Sequence, residues 1–408
     1  MLSAYFKNVG VNTSPIACHS CLGQNNFFTG ESGMLLENII SETSVEPRDY
    51  QSRIIDKTVQ MFNGQYENGA GEVEIAARSV MIESPTGSGK TVIGLLAAKL
   101  MQAQFPSLKI GWVAMRRNLL AQAEKENIDK GIDVQNIEFI SMFDKNPSAD
   151  IDMLVVDEAQ HDAASSMAHL HNVIQPKFIL GLTATPFRTD RVKLCFDKVI
   201  KDAGIHQLIQ DGYLSEYHHY TIPRWDVDTL HDAFVRDKDK WGKSIFFFHQ
   251  LSDCFELNER LRASGIVSDV VTGSSDRESQ LAAFANGDIT VLINCMVLTE
   301  GFDCPDLKTV FCRPSGKGCT MQMCGRAFRK HPSCEYKQIV QSRDSRWPFL
   351  KTALPLQQYL WQEDTWRSLT VNPHLNRINR NARMVIATTD VQLPTFIKDR
   401  KTVRRVRF

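Results

Sequence analysis

Two short runs carry residue types and spacings suited to chemistry: Glu83-Ser-Pro-Thr-Gly-Ser-Gly-Lys90-Thr91 and, downstream, Leu154-Val-Val-Asp157-Glu158-Ala-Gln-His161. In the first, Gly87 and Gly89 let backbone N–H groups close around phosphate oxygens, Lys90 neutralises β- and γ-phosphate charge, and the Thr91 hydroxyl is suited to Mg²⁺. Thr86 and Ser88 complete this nucleotide-binding loop. In the second, an apolar run ends on two carboxylates. Asp157 is suited to Mg²⁺, directly or through water, and Glu158 to orienting or deprotonating the attacking water. Together they predict Mg²⁺-assisted ATP hydrolysis.

Elements of the right kind flank these runs. Val80-Met-Ile precedes the loop and Val92-Ile-Gly-Leu-Leu-Ala-Ala follows it, giving strand, loop and helix. One departure stands out: Ser84 occupies the first glycine of the pattern GxxxxGK[ST].

At 408 residues the chain predicts two or three globular domains. Its 47 basic and 47 acidic residues cancel, so contact with nucleic acid must come from a local basic surface. No run approaches the ~18 apolar residues of a membrane span, and the N-terminus lacks a basic region followed by an apolar core, so the expectation is a cytoplasmic protein with no membrane partner. The ten cysteines are scattered, several in apolar runs, and read as reduced thiols. Cys18-His-Ser-Cys21 leaves two readings open, half of a zinc site or a free-thiol loop. Cys312, Cys319, Cys324 and Cys334 read as structural.

Residues 1–46 show little periodicity apart from a short helical stretch at Met34–Ile40, and read as an accessory segment. From 47 to 215, apolar strands alternate with amphipathic helical stretches, which predicts a doubly wound parallel α/β domain that binds ATP. A charged stretch from Ile222 to Trp241 reads as a linker. It opens a second region, 216–340, with the same alternation. Residues 341–408 lose the pattern and end in an arginine-rich tail, an accessory segment suited to phosphate contacts or to a protein partner.

The class of motor is set by Gln322-Met-Cys-Gly325-Arg326-Ala-Phe-Arg329. Arg326 and Arg329, three apart, are expected on one helix face, where they would meet charge developing on the transferred phosphoryl group across a cleft. Gly325 permits close backbone approach.

In this order the motifs resemble those of superfamily 2 helicases over about residues 47–340. Pro47-Arg-Asp-Tyr-Gln51 looks like the adenine element, Trp112 to Leu120 like motif Ia, Gly181-Leu-Thr183-Ala-Thr185-Pro like motif III, and Leu298-Thr-Glu-Gly301-Phe-Asp303 like motif V. Gln322 opens motif VI and motif V reads TEGFD, wording closer to the DExH branch that holds XPB, RecG, restriction-enzyme translocases and compact phage-borne relatives, while motif II reads DEAQ where DEAH is commoner. The resemblance implies two tandem RecA-like domains facing across an ATP cleft. It assigns Arg48 and Gln51 to the base, Gly301 and Asp303 to the nucleotide from the second domain, and Gln322, Arg326 and Arg329 to catalysis with Lys90, Asp157 and Glu158. Gln160, Thr183 and Thr185 fall to coupling, and Arg116, Arg117, Ser141, Thr272 and Thr299 to a nucleic-acid strand. The implied function is a DNA helicase, with RNA left open, acting as a monomer. The alternatives are a duplex translocase that does not separate strands and an ATP-gated clamp.

Overall fold

The computed structural model describes residues 31–161, 165–185, 196–295, 297, 298, 302 and 304–369. Its first lobe opens with helices α1 (Glu31–Ser41) and α2 (Asp49–Asn63). The sheet strands β1 (Ser79–Glu83), β2 (Ile110–Ala114), β3 (Ile137–Ser141), β4 (Met153–Asp157), β5 (Phe178–Thr183) and β6 (Lys198–Ile200) follow. Helices α3 (Lys90–Gln104), α4 (Arg117–Asp129), α5 (Ser165–Ile174) and α6 (Ile205–Gln210) alternate with them. All six strands are parallel, in the order β3-β2-β4-β5-β1-β6. The central strands carry buried apolar runs, residues 80–82 in β1 and 153–156 in β4, because helices cover both faces.

The second lobe is a sheet of eight strands. It contains β7 (Tyr217–Ile222), β8 (Ser244–Phe248), β9 (Ser268–Val271), β10 (Val291–Cys295), β11 (Thr309–Phe311), β12 (Lys337–Ser342), β13 (Gln357–Gln362) and β14 (Thr365–Leu369), in the order β14-β13-β7-β12-β11-β8-β10-β9. Every pair is parallel except the β13–β14 hairpin. Helices α7 (Val227–Arg236), α8 (Lys238–Trp241), α9 (Leu251–Ala263), α10 (Arg277–Asn286) and α11 (Lys317–Gly325) complete it. In parallel sheets the crevice beyond the carboxyl ends of the strands is where ligands bind, so the loops that follow the strands of both lobes are the candidate sites.

Three sequence boundaries shift. Residues 31–46 are part of the first lobe, not a separate accessory segment: Leu36 and Ile39 enter its core, and the Ser32 hydroxyl donates to Asp56 at 2.7 Å. The stretch from Ile222 to Trp241 is no linker. Trp241 is fully buried among Tyr220, Phe234 and Phe311, so its aromatics build the second core. The second lobe also runs past residue 340, which falls inside β12, since β13 pairs with β7 and carries the hairpin. The link between lobes is the short segment 211–216. A single apolar cluster runs through it, joining Leu208 and Leu214 to Tyr217 and Phe328.

Cys18 and Cys21, with the two readings they leave open, and the arginine-rich tail lie outside the described residues. Cys312, Cys324 and Cys334 are buried and Cys319 is exposed, and no group of three or more His, Cys, Asp or Glu suited to a metal occurs among the described residues. No helix among them is long and apolar enough to cross a membrane.

The hairpin, paired to β7 through β13, is also fastened to the sheet by a cation. The Lys240 ammonium lies 4.4 Å from the ring centre of Tyr220, 5.2 Å from Tyr359 and 5.4 Å from Trp366, so one charge ties α8 to β7, β13 and β14. A partly desolvated cation–π contact contributes about 1–2 kcal/mol. Lys240→Met keeps the aliphatic stem and removes the charge. It should lower the unfolding free energy by about that amount, measured by urea denaturation; unchanged stability would mean that the rings hold the hairpin without the charge.

Candidate nucleotide site between the lobes

The glycine-rich loop connects β1 to α3 and carries its glycines where the backbone is left-handed. Gly87 has φ +81° and Gly89 φ +79°, values that L side chains rarely adopt. Ser84 shows why the usual first glycine is dispensable here. Its φ is not positive, its backbone N–H donates to the Thr183 carbonyl at 2.9 Å, and its hydroxyl donates to the Ser88 hydroxyl at 2.7 Å, bracing the loop from within. Ser88 is accordingly buried and stands behind the cavity wall.

The start of α2 is fastened to the same loop. The Gln51 side-chain amide donates to the Ser88 carbonyl at 2.8 Å and its oxygen accepts from the Arg48 N–H at 2.9 Å, while the Tyr50 hydroxyl donates to that Ser88 carbonyl at 2.6 Å. One amide hydrogen and one lone pair of Gln51 are left for a base edge. Arg48 donates to the Tyr50 hydroxyl at 3.2 Å and lies 5.1 Å from the ring centre of Tyr213. Tyr213 lines the cavity beside Arg48. No motif announced it, because it sits on the interlobe segment 211–216.

A cavity of about 770 Å³ is walled by both lobes. The first lobe contributes Arg48, Gln51, Thr86, Gly87, Gly89, Lys90, Thr91, Asp157 and Glu158, and the second contributes Arg326, Arg329 and Lys330. The sequence placed the two arginines on one helix face. Instead α11 ends at Gly325, Arg326 caps it and Arg329 lies beyond, so a turn rather than a helical repeat brings both to the cavity. Arg326 donates to the Phe302 carbonyl at 3.0 Å. The backbone carrying Arg329 is pinned to the interlobe segment, where the Ser215 N–H donates to the Phe328 carbonyl at 2.9 Å and the Ser215 hydroxyl to the Arg329 carbonyl at 3.2 Å. Gln322, half-buried on α11, is not among the cavity-lining residues.

At the base of the cavity Asp157 ends β4. Enclosure by protein, with neighbouring Glu158 adding to it, pushes the Asp157 carboxyl up to about 7, while Lys90 pulls the other way. Glu158 itself has φ +53°, a conformation uncommon for a residue with a side chain that costs about 1–3 kcal/mol. The turn sets two adjacent carboxylates side by side. These donors suit Mg²⁺: all are oxygens, Thr91 and Asp157 are few enough to leave room for water and phosphate oxygens, and the buried negative charge wants a cation.

Gln160 bridges this pair to the next strand. Its amide donates to Glu158 at 3.2 Å and its oxygen accepts from the Thr183 hydroxyl at 2.7 Å; the Thr185 N–H in turn donates to the Thr183 oxygen at 3.0 Å. All three residues assigned to coupling therefore lie on one hydrogen-bonded chain that starts at Glu158.

The four described residues assigned to a strand lie outside the cavity wall. Ser141 closes β3, Arg116 caps α4 with an unpaired Nε, Arg117 is exposed, and the Thr272 oxygen accepts from the Ser275 N–H at 3.1 Å in the turn after β9. Thr299, Gly301 and Asp303 lie outside the described residues. Arg277, at the start of α10, was not legible in the sequence: burial holds its guanidinium below its ordinary pKa, and Arg116 and then Arg326 add to that, so arginines of both lobes gather where they meet.

Two parallel α/β lobes, one bearing a glycine loop with paired carboxylates and the other paired arginines, define a two-lobed nucleoside-triphosphate motor. Residues 44–148 and 129–188 match the family described as Type III restriction enzyme, res subunit, and residues 225–331 match the Helicase conserved C-terminal domain. The chain belongs to superfamily 2 of the helicases, on the branch of the restriction-enzyme translocases, and its lobes are tandem RecA-like domains. It is 26% identical over 268 residues to a 51.5 kDa protein of a Lactococcus phage, covering 58% of this chain and 59% of that protein. It is 24% identical over 360 residues to IRC3 of Saccharomyces cerevisiae, a protein assigned as an ATP-dependent helicase, covering 72% of this chain and 51% of that one. The chain thus spans between half and three-fifths of the length of these two relatives. In fold it is similar to S. cerevisiae Dbp5 bound to RNA and ADP BeF3, at TM-score 0.51 and 14% identity over 88% of this chain and 98% of that one. It is also similar to the Type ISP restriction-modification enzyme LlaBIII bound to DNA, at TM-score 0.51 and 14% identity over 73% of this chain and 27% of that one.

The raised Asp157 pKa has a stability consequence. A carboxylate whose folded pKa lies above its unfolded value, about 3.9, favours folding fully below that value, and the benefit is lost as pH rises toward about 7. Asp157→Asn should therefore melt like the wild type near pH 4 and at progressively higher temperature than it up to about pH 7, levelling off beyond. Calorimetry of the ligand-free proteins across pH checks this, and a difference independent of pH would reject it.

Proposed function

We propose that the protein is an ATP-driven motor that tracks along DNA and separates or remodels its strands. The observation that carries this reading is the shared cavity, with Lys90, Asp157 and Glu158 on one side and Arg326 and Arg329 on the other. A triphosphate held there is bound by both lobes at once, so the site is complete only while the cleft is closed.

Each side chain then has a role set by its chemistry. Backbone N–H groups of the loop and Lys90 bind phosphate oxygens, and Arg48, Gln51 and Tyr213 receive the base. Thr91 and Asp157 would hold Mg²⁺, which when bound neutralises phosphate charge. Glu158 orients the attacking water and takes its proton. Arg326 and Arg329 stabilise charge on the transferred phosphoryl group, and its departure removes what holds the arginines in place, so the lobes part. The Glu158–Gln160–Thr183–Thr185 chain passes the state of the nucleotide from β4 to the end of β5. Arg116, Arg117, Ser141 and Thr272, with Thr299, are suited to the phosphodiester backbone without reading sequence.

DNA is favoured over RNA by the match to the restriction-enzyme subunit, which also lends support to translocation on duplex without strand separation. Strand-displacement and triplex-displacement assays run in parallel tell these apart, since a pure tracker removes a third strand and leaves the duplex paired.

Lys90→Ala should abolish ATP turnover stimulated by nucleic acid, and near-normal turnover would reject the phosphate assignment. Arg326→Ala should bind a fluorescent ATP analogue nearly as well as wild type while single-turnover hydrolysis falls by about 10³-fold or more. Lost binding with unchanged hydrolysis of what is bound would refute the finger role.

A further inference from the structure

Arg313 follows β11 and is only 3% exposed. One guanidinium nitrogen, Nη1, meets His249 Nε2 at 2.6 Å and the Ser315 hydroxyl at 2.6 Å, both neutral groups, and its Nε has no partner. It forms no ion pair among the described residues. Burying a cation without an anion is costly, and burial disfavours its charge. Its charge, not cancelled by a carboxylate, adds positive potential to the surface above it.

The surroundings suit an anion. Ser315 stands one residue before Gly316, which caps α11 with no side chain donated to its first turn and no acidic residue there. The free N–H groups of that turn favour negative charge. Lys317, the first residue of α11, and Lys351 each lie 5.4 Å from the ring centre of Trp347, which collects the two ammonium groups on the segment after β12. In that segment Arg343 and Arg346 are exposed, with Asp344 the one carboxylate between residues 343 and 351. Arg346 also acts on His249, which places this segment beside Arg313.

We propose that the carboxyl ends of β8, β11 and β12 form a phosphodiester-binding patch in which the exposed Lys317, Arg343, Arg346 and Lys351 take successive phosphates of a nucleic-acid strand, above the buried charge of Arg313. None of these residues belongs to the nucleotide cavity or to the strand contacts assigned from sequence. The patch extends the track on the second lobe beyond Thr272. It rests on the nucleic-acid reading above.

The test is the salt dependence of binding to fluorescein-labelled oligo(dT) and oligo(U), followed by anisotropy without nucleotide. For a single strand, each phosphate that is no longer neutralised lowers the slope of log affinity against log salt by about 0.7. The triple variant Arg343→Ala, Arg346→Ala, Lys351→Ala changes side chains at the surface and should lose about 2 from the slope. Its affinity at low salt should fall at least tenfold. The control triple Lys109→Ala, Lys177→Ala, Lys198→Ala, at the amino ends of β2, β5 and β6, removes equal charge and should keep the wild-type slope. Wild-type slope and affinity in the first triple, or an equal loss in the control, would overturn the patch while leaving the nucleic-acid reading standing. Wild-type protein that binds neither strand would overturn both. The relative affinity for the two oligomers reports whether the patch prefers DNA or RNA.

Discussion

A methyl group built on Gly325 would meet Thr86 Cβ and Oγ1 at 3.2 Å, and one built on Gly87 would meet Arg329 Cγ and Leu214 Cδ2 at 3.4 Å. Two other parts of the chain close on the phosphate loop: the end of α11 with the turn after it, and the segment between lobes. Everything that makes the cavity a shared one follows from this contact. A larger residue at 325 would hold the second lobe back, and Arg326 and Arg329 would lose the cavity even with their own chemistry intact. The loop's shape is fixed from behind as well, by the Ser84–Ser88 hydroxyl pair and by Gln51 and Tyr50 on the Ser88 carbonyl.

Rigid placement has an electrostatic cost, concentrated at Asp157 and Glu158. One carboxyl is enclosed, the other sits on a left-handed backbone, and the charge of Glu158 adds to the burial that raises Asp157. The neutral Gln160 then gains importance. An amide donates to a carboxylate and accepts from a hydroxyl at the same time, so it links Glu158 to Thr183 without adding a charge or a titration to an already strained site. The commoner histidine at this position offers the same two contacts in only one of its protonation states.

Where the sequence was legible, the reason is local. The phosphate loop and the strand ending in Asp157 are contiguous runs, and their alternation with apolar helices identifies the parallel sheets. Contacts made by segments distant in sequence left weaker traces. Tyr213, Ser215 and Arg277 become significant only because the lobes meet there, and no spacing reports that. The Arg326–Arg329 pair was found by extending α11 past Gly325, where it ends. The spacing of three was right, but a turn satisfies it as well as a helical face. The aromatic and charged stretch from Ile222 to Trp241 looked like a linker because its amphipathic helix buries Leu230 and Phe234 while exposing charge, and because Trp241 lies just past its end. The hairpin after β12 looked irregular because only one of its faces is covered.

The balance of 47 basic and 47 acidic residues also changes meaning in three dimensions. Screening at physiological ionic strength confines exposed charges to about 8 Å, so a neutral total says nothing about what one face presents. On the flank of the first lobe, Lys109, Lys177 and Lys198 are each matched by a carboxylate, from Asp150, Asp152 and Glu74. At the carboxyl ends of the second sheet, Arg313, Lys317, Arg343, Arg346 and Lys351 form no such pairs among the described residues. Cations paired on one face and left unpaired on another give a single composition two different surfaces. The unpaired set stands at the strand ends, where the parallel topology already directs ligands.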